Sequence, residues 1–312
     1  MIYLVLASLI WAFSFGMIGR YLVGLDPQSV AFVRLLVSLL IFTPLLRLRG
    51  LAWQQALRLM LIGAVQYGLM YAVYIQAYQS LAGHEVALFT IMTPLFVTLL
   101  DGWRRGRFRV AYFVAAVLGI VGVAVLFSVK GMAGGMLPGI VMIQVSNLCF
   151  AAGQVEYKLM MEREPGLAAG NGLRHFGLLY LGAVMVTGVF AMTSGLSAFR
   201  PSPVQWWVLL YLGAVPSAVA FFLWNLGARK VNPGVLGVFN NAKIPLGVLA
   251  ALVVFGEQPD GWRLTISILG VAGGILVAGG AAGFMDARRG SGGTVRQENG
   301  QSTSATRPSS PR

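Results

Sequence analysis

Apolar residues in this chain come in long runs separated by short polar and basic connections, with neither strict alternation nor a one-sided helical stripe. Such runs lie near residues 2–19, 28–46, 57–78, 84–100, 109–129, 137–157, 175–194, 204–226, 234–255 and 263–284. Each approaches the roughly 20 residues that a helix needs to cross the hydrocarbon of a bilayer. Only helices and closed barrels satisfy all their backbone polar groups in lipid, and unbroken runs are not the alternating pattern of a barrel strand. The pattern therefore predicts an all-α integral membrane protein with ten transmembrane helices. Residues 288–312 are rich in Ser, Gly, Thr and Pro and have no apolar period, which predicts a disordered tail.

Composition agrees with burial in lipid. The 312 residues are 57% hydrophobic and 11% charged, with mean hydropathy +0.76, against about 25% charged in a soluble domain. Forty glycines suit helices that approach one another closely in a membrane. The formal charge of +13 would suggest nucleic acid, but the basic residues sit between the apolar runs and are not interleaved with aromatics, so no nucleic-acid partner is expected. Assigned to alternate faces, seventeen of the 23 Lys and Arg fall with the N-terminus, against Arg20, Lys130, Arg200 and Arg263 opposite; Arg34 and Lys243 lie within runs. This bias predicts a multi-pass protein of the cytoplasmic (inner) membrane with both termini cytoplasmic. The N-terminus has no basic region and no small-residue cleavage site before Arg20, so the first helix is expected to be retained. The lone Cys149 lies in an apolar run, permits no internal disulfide and reads as a packing residue.

Shifting the chain by 151 residues superimposes part of it on itself without a gap. Ala77, Gly83, Pro94, Leu95 and Val97 fall on Ala228, Gly234, Pro245, Leu246 and Val248, and Leu118, Gly119 and Gly122 fall on Leu269, Gly270 and Gly273. Five helices per repeat is an odd number, so the second half must cross the membrane in the opposite sense. The expected architecture is two inverted repeats, residues 1–130 and 137–284, around a central cavity, as in secondary transporters.

The order of several short motifs resembles the EamA-type carriers of the drug/metabolite transporter superfamily over residues 1 to 284. They are Trp11 followed by Ser14 and Phe15, Arg34 in the second helix, the Ala77–Pro94 segment with its repeat Ala228–Pro245, and Phe255-Gly256-Glu257 before a glycine-rich last helix. The first half departs from this symmetry with Leu100-Asp101-Gly102-Trp103 at the position of Phe255-Gly256-Glu257. The resemblance implies a ten-helix permease moving small organic solutes by alternating access, leans to export, and brings Trp11 and Ser14 into the candidate site; without it Trp11 reads as packing.

Lys243 is the most informative residue. Insertion scales place the cost of an ionised side chain at a helix centre at about 2.5–3.5 kcal/mol, its repeat counterpart is Met92, and no acidic residue falls near mid-span. A substrate or ion role accounts for it; pairing with an acid or with helix-end carbonyls is the structural alternative. Asn240 lies one turn earlier. Pro245 would free the carbonyl of Asn241 and Pro94 that of Thr90, making each a candidate hinge, with a packing kink as the alternative. Tyr67, Tyr71, Tyr74 and Tyr78 recur at helical spacing, and the first two are too deep for an interface belt, which predicts a cavity wall. Gln144, Asn147 and Gln154 share a face and should point inward, either to the cavity or as glue between helices. Arg34 reads as snorkelling to a helix end and is set outside the site.

No catalytic, metal or phosphate-binding arrangement occurs, so no enzyme activity, cofactor or ATP use is expected. The expected function is secondary active transport of a carboxylate, amino acid or amine, coupled to protons or to exchange. The partners are an anionic or zwitterionic solute and the bilayer, while oligomeric state leaves no mark in the sequence. The rival readings are a passive channel, a structural membrane protein and a lipid-handling membrane enzyme.

Overall fold

The structure, a computed structural model, describes residues 1–106, 135–168 and 172–231, together with residues 236, 239, 240, 243, 246, 247, 249, 250 and 253–256. Seven helices among them are long and apolar enough to cross a membrane: α1 (Ile2–Tyr21), α2 (Pro27–Leu45), α3 (Trp53–Ala77), α4 (Gly83–Arg104), α5 (Leu137–Arg163), α6 (Leu173–Ser194) and α7 (Pro203–Ala228). Each coincides with one expected run, and among the described residues there is no strand. The expected helices at 109–129 and 263–284, the tail 288–312 and Pro245 lie outside the described residues. The described residues between 236 and 253 are helical.

Local chemistry sets the starts. The carboxylate of Asp26 accepts from the Ser29 backbone N–H at 2.7 Å and Pro27 supplies the first helical residue of α2. Ser202 and Pro203 do the same for α7, with Gln205 reaching back to the Ser202 N–H at 2.9 Å. A proline costs nothing there, because the N–H it lacks would have had no intrahelical partner.

Packing uses small residues where helices touch and leaves large apolar ones outside. A Cβ on Gly63 in α3 would lie 1.9 Å from the Leu179 carbonyl oxygen, and one on Gly182 in α6 would lie 1.9 Å from the Met60 carbonyl oxygen. The two backbones meet at these reciprocal glycines, a close approach only small residues allow. α6 also packs on α2, α5 on α3 and α4, and α1 on α7. Met185, Val189 and Met192 on α6, like Trp53, Leu61 and Val141 elsewhere, are exposed. Such an outer apolar belt is what a bilayer would cover.

Three helices are broken near their middles. α3 contains a π-helical segment, Ala64–Leu69, and α7 another, Gly213–Val219, which starts 149 residues later. α4 is interrupted by the 3-10 turn Thr90–Met92 just before Pro94.

Candidate functional site

The broken segments converge. Pro216 in the α7 bulge has no N–H for the Leu212 carbonyl four residues back, and that carbonyl instead accepts from the Ser217 hydroxyl at 2.7 Å. The Pro216 carbonyl accepts from Trp11 Nε1 at 2.9 Å, and the Ser217 carbonyl accepts from the Tyr180 hydroxyl. In α4 the Thr90 carbonyl accepts from Thr93 Oγ1 at 2.8 Å, while the Phe89 carbonyl receives Asn147 Nδ2 at 2.9 Å and Gln144 Nε2 at 3.2 Å. Backbone carbonyls at the breaks are thus satisfied by side chains, of the same helix at Leu212 and Thr90 and of other helices at Pro216, Ser217 and Phe89, the condition for irregular backbone at membrane depth.

Between these breaks lies a cavity of about 70 Å³. Its polar lining comes from Trp11 and Ser14 of α1, Arg34 of α2, Tyr71 and Tyr74 of α3, Thr90 and Thr93 of α4, Ser146 and Asn147 of α5, and Lys243; Phe15, Met70, Phe150 and Phe221 complete the wall. Among the described residues no carboxylate lines it.

Lys243 is 7% exposed. Its Nζ donates to Asn240 Oδ1 at 3.1 Å and stands 5.2 Å from the centroid of the Trp11 ring. Among the described residues no carboxylate lies within ion-pairing distance. The acids sit instead at the helix ends, where Arg104 pairs with Glu156, and Arg105 with Asp101 and Glu162, each at 2.8 Å. Trp11 is fixed by its bond to Pro216 and by tilted ring contacts with Phe221 and Trp224, 4.9 and 5.1 Å between centroids. The Ser14 hydroxyl donates to the Trp11 carbonyl at 2.8 Å. Asn147 spans the gap between the Phe89 carbonyl, Gln144 Oε1 at 3.1 Å and the Thr93 hydroxyl, whose single proton is shared between Asn147 Oδ1 at 3.0 Å and the Thr90 carbonyl.

Several expected positions differ. Tyr67 is fully buried outside the cavity: its hydroxyl accepts from Asn225 Nδ2 at 2.6 Å and its ring stacks on Tyr180. Counting residues as a regular helix aligns Tyr67 with Tyr71, but Tyr67 sits in the π-helical turn, whose wider winding breaks that register. Gln144 also lies outside the cavity lining and joins α5 to the α4 break. Gln154 accepts from Trp224 Nε1 at 3.0 Å in a buried interhelix bond.

Arg34 does not snorkel. It is 1% exposed and lines the cavity, because seven residues from the start of α2 is about 10 Å along the axis, beyond reach of the helix end. Pro216 and Ser217 went unread in the sequence although a proline inside the apolar run 204–226 is the same signal as Pro94 and Pro245.

Apolar helices broken around a buried cavity that carries Arg34 and Lys243 define a membrane transporter for small metabolites; among the described residues no His, Cys, Asp or Glu cluster could hold a metal ion. The model of the EamA-like transporter family matches residues 1–128 and again 137–279, and the chain belongs to that family. It is 36% identical over 259 residues to the biotin transporter of Escherichia coli (strain K12), covering 82% of this chain and 85% of that protein. It is 34% identical over 278 residues to the probable biotin transporter of Pseudomonas aeruginosa, covering 88% and 94%. A crystal structure 20% identical to it has the same fold, with TM-score 0.64 over 89% of this chain and 96% of that one.

Proposed function

We propose that this protein is a secondary transporter that carries a small organic carboxylate, biotin foremost, across the inner membrane by alternating access, coupled to protons or to exchange. The observation that carries this reading is the Lys243 side chain, buried on the cavity wall with one amide and one ring for company and, among the described residues, no carboxylate partner. A solute carboxylate would supply the missing charge, in a site where the pairing is worth far more than in water. Relatives of high coverage named for biotin supply the candidate. The two family-matched segments serve as inverted five-helix repeats, with both termini cytoplasmic by the positive-inside count, and Pro94 and Pro245 as the hinges that let the narrow cavity widen. Trp11, Ser14, Tyr71, Asn147 and Asn240 would orient the solute around Lys243, with Gln144 holding Asn147 and Tyr67 supporting from behind.

The test is uptake of radiolabelled biotin into proteoliposomes. Uptake should saturate, accelerate when unlabelled biotin is trapped on the opposite side, and disappear in a folded Lys243→Met variant. Uptake that rises linearly with concentration points to a channel, and unchanged uptake in the variant removes Lys243 from the site.

A further inference from the structure

The reading of Arg34 as a helix-end anchor fails on geometry, and what replaces it bears on the solute. Arg34 Nη2 donates to the Tyr71 hydroxyl at 3.1 Å and the Ser217 hydroxyl at 3.2 Å, and these two hydroxyls bond each other at 2.9 Å. Its guanidinium carbon stands 4.8 Å from the Tyr71 ring centroid. These contacts fix the head group at the cavity wall between α3 and α7. They supply no negative charge, and Nε and Nη1, both buried, have no hydrogen-bond partner among the described residues. Arginine stays ionised in proteins, and a buried charge persists only when paired or otherwise satisfied. A purely structural link between Tyr71 and Ser217 would need only a neutral amide.

We propose that Arg34 is a solute-binding residue that forms with Lys243 a two-cation site, selecting solutes that carry a carboxylate together with a second hydrogen-bond acceptor. The inference rests on the transporter reading above and adds the anion requirement to it. Two cations line one cavity that has no carboxylate among its described residues, so a neutral or cationic solute leaves both uncompensated, whereas a carboxylate with a distal carbonyl or second carboxylate engages each. Tyr71 and Ser217 hold the guanidinium in place, so the receptor is arranged before the solute arrives and little is lost in ordering it.

The experiment is ligand-induced thermal stabilisation of the purified full chain by biotin, its neutral methyl ester and the dicarboxylate pimelate, for wild type, Arg34→Gln and Arg34→Lys, with folding checked by size-exclusion profile. Wild type should prefer biotin over the ester by at least tenfold in apparent Kd, a preference that drops several-fold in Arg34→Gln, where Lys243 still faces the carboxylate, and survives in Arg34→Lys. If wild type responds to pimelate and not to biotin, and Arg34→Gln loses that response, the biotin assignment falls while Arg34 stands. A folded Arg34→Gln that keeps the wild-type preference overturns the proposal. If Arg34→Gln does not fold, an Arg34→Lys variant that folds but has lost the preference overturns it, and so does a wild type that neither anion stabilises.

Discussion

Lys243→Met should leave the empty protein as stable as the wild type while abolishing its response to ligand, and the magnitudes explain the combination. An ionised lysine at a helix centre costs about 2.5–3.5 kcal/mol on insertion scales. Against this stand one charge-assisted hydrogen bond to Asn240 at 3.1 Å, worth about 1.5–3 kcal/mol, and the Trp11 ring at 5.2 Å, worth about 0.5–2 kcal/mol. The terms nearly cancel, and methionine fills the same volume without charge. The expected change in stability is within about 1 kcal/mol of zero, or a shift of roughly 2–4 °C in apparent melting temperature if the scale of a large soluble domain applies. A lysine paired to a structural carboxylate behaves differently: removing it strands the buried acid at about 3–5 kcal/mol. The assay is a melt of the detergent-purified protein with and without biotin. A loss above about 3 kcal/mol in the empty protein would refute the account of Lys243 as a charge awaiting its partner.

Two further outcomes follow from the packing and the register. Gly182→Leu forces side-chain atoms into the Met60 carbonyl, which a Cβ alone would approach to 1.9 Å. Overpacking of this kind costs about 1–3 kcal/mol or more, so the variant should melt well below wild type, while Met185→Leu on the exposed face of the same helix should not. Tyr67→Phe removes the acceptor for Asn225 Nδ2, which keeps the Phe221 carbonyl at 3.0 Å; stability should fall by about 1 kcal/mol with biotin affinity within about twofold of wild type, and a tenfold loss of affinity would return Tyr67 to the cavity wall.

Much of the site was legible because a polar group in an apolar run must be explained by something. Lys243 and Asn147 stand out against their neighbours, Trp11 and Ser14 entered through the family resemblance, and Thr90 was reachable by counting back from Pro94. Tyr67 and Arg34 were misplaced for different reasons. For Arg34 the depth could be counted, but a long flexible side chain has several available endings, and only the Tyr71 and Ser217 hydroxyls, 37 and 183 residues away in sequence, decide which it takes. For Tyr67 the register depends on a π-helical turn, which no residue of Ala64–Leu69 announces; it forms where α3 packs against α5 and α6.

The sequence by itself determined the helical membrane class, the seven described spans and the presence of charge in the bilayer, because burial in lipid acts on each segment separately through hydropathy and backbone satisfaction. Tertiary structure decided which polar side chains share one cavity and which merely tie helices together. That choice depends on helix rotation at the breaks and on close approach at Gly63 and Gly182, and rotation is fixed by contacts between segments distant in the chain. A local pattern can require an inward-facing side chain; it cannot say what stands opposite.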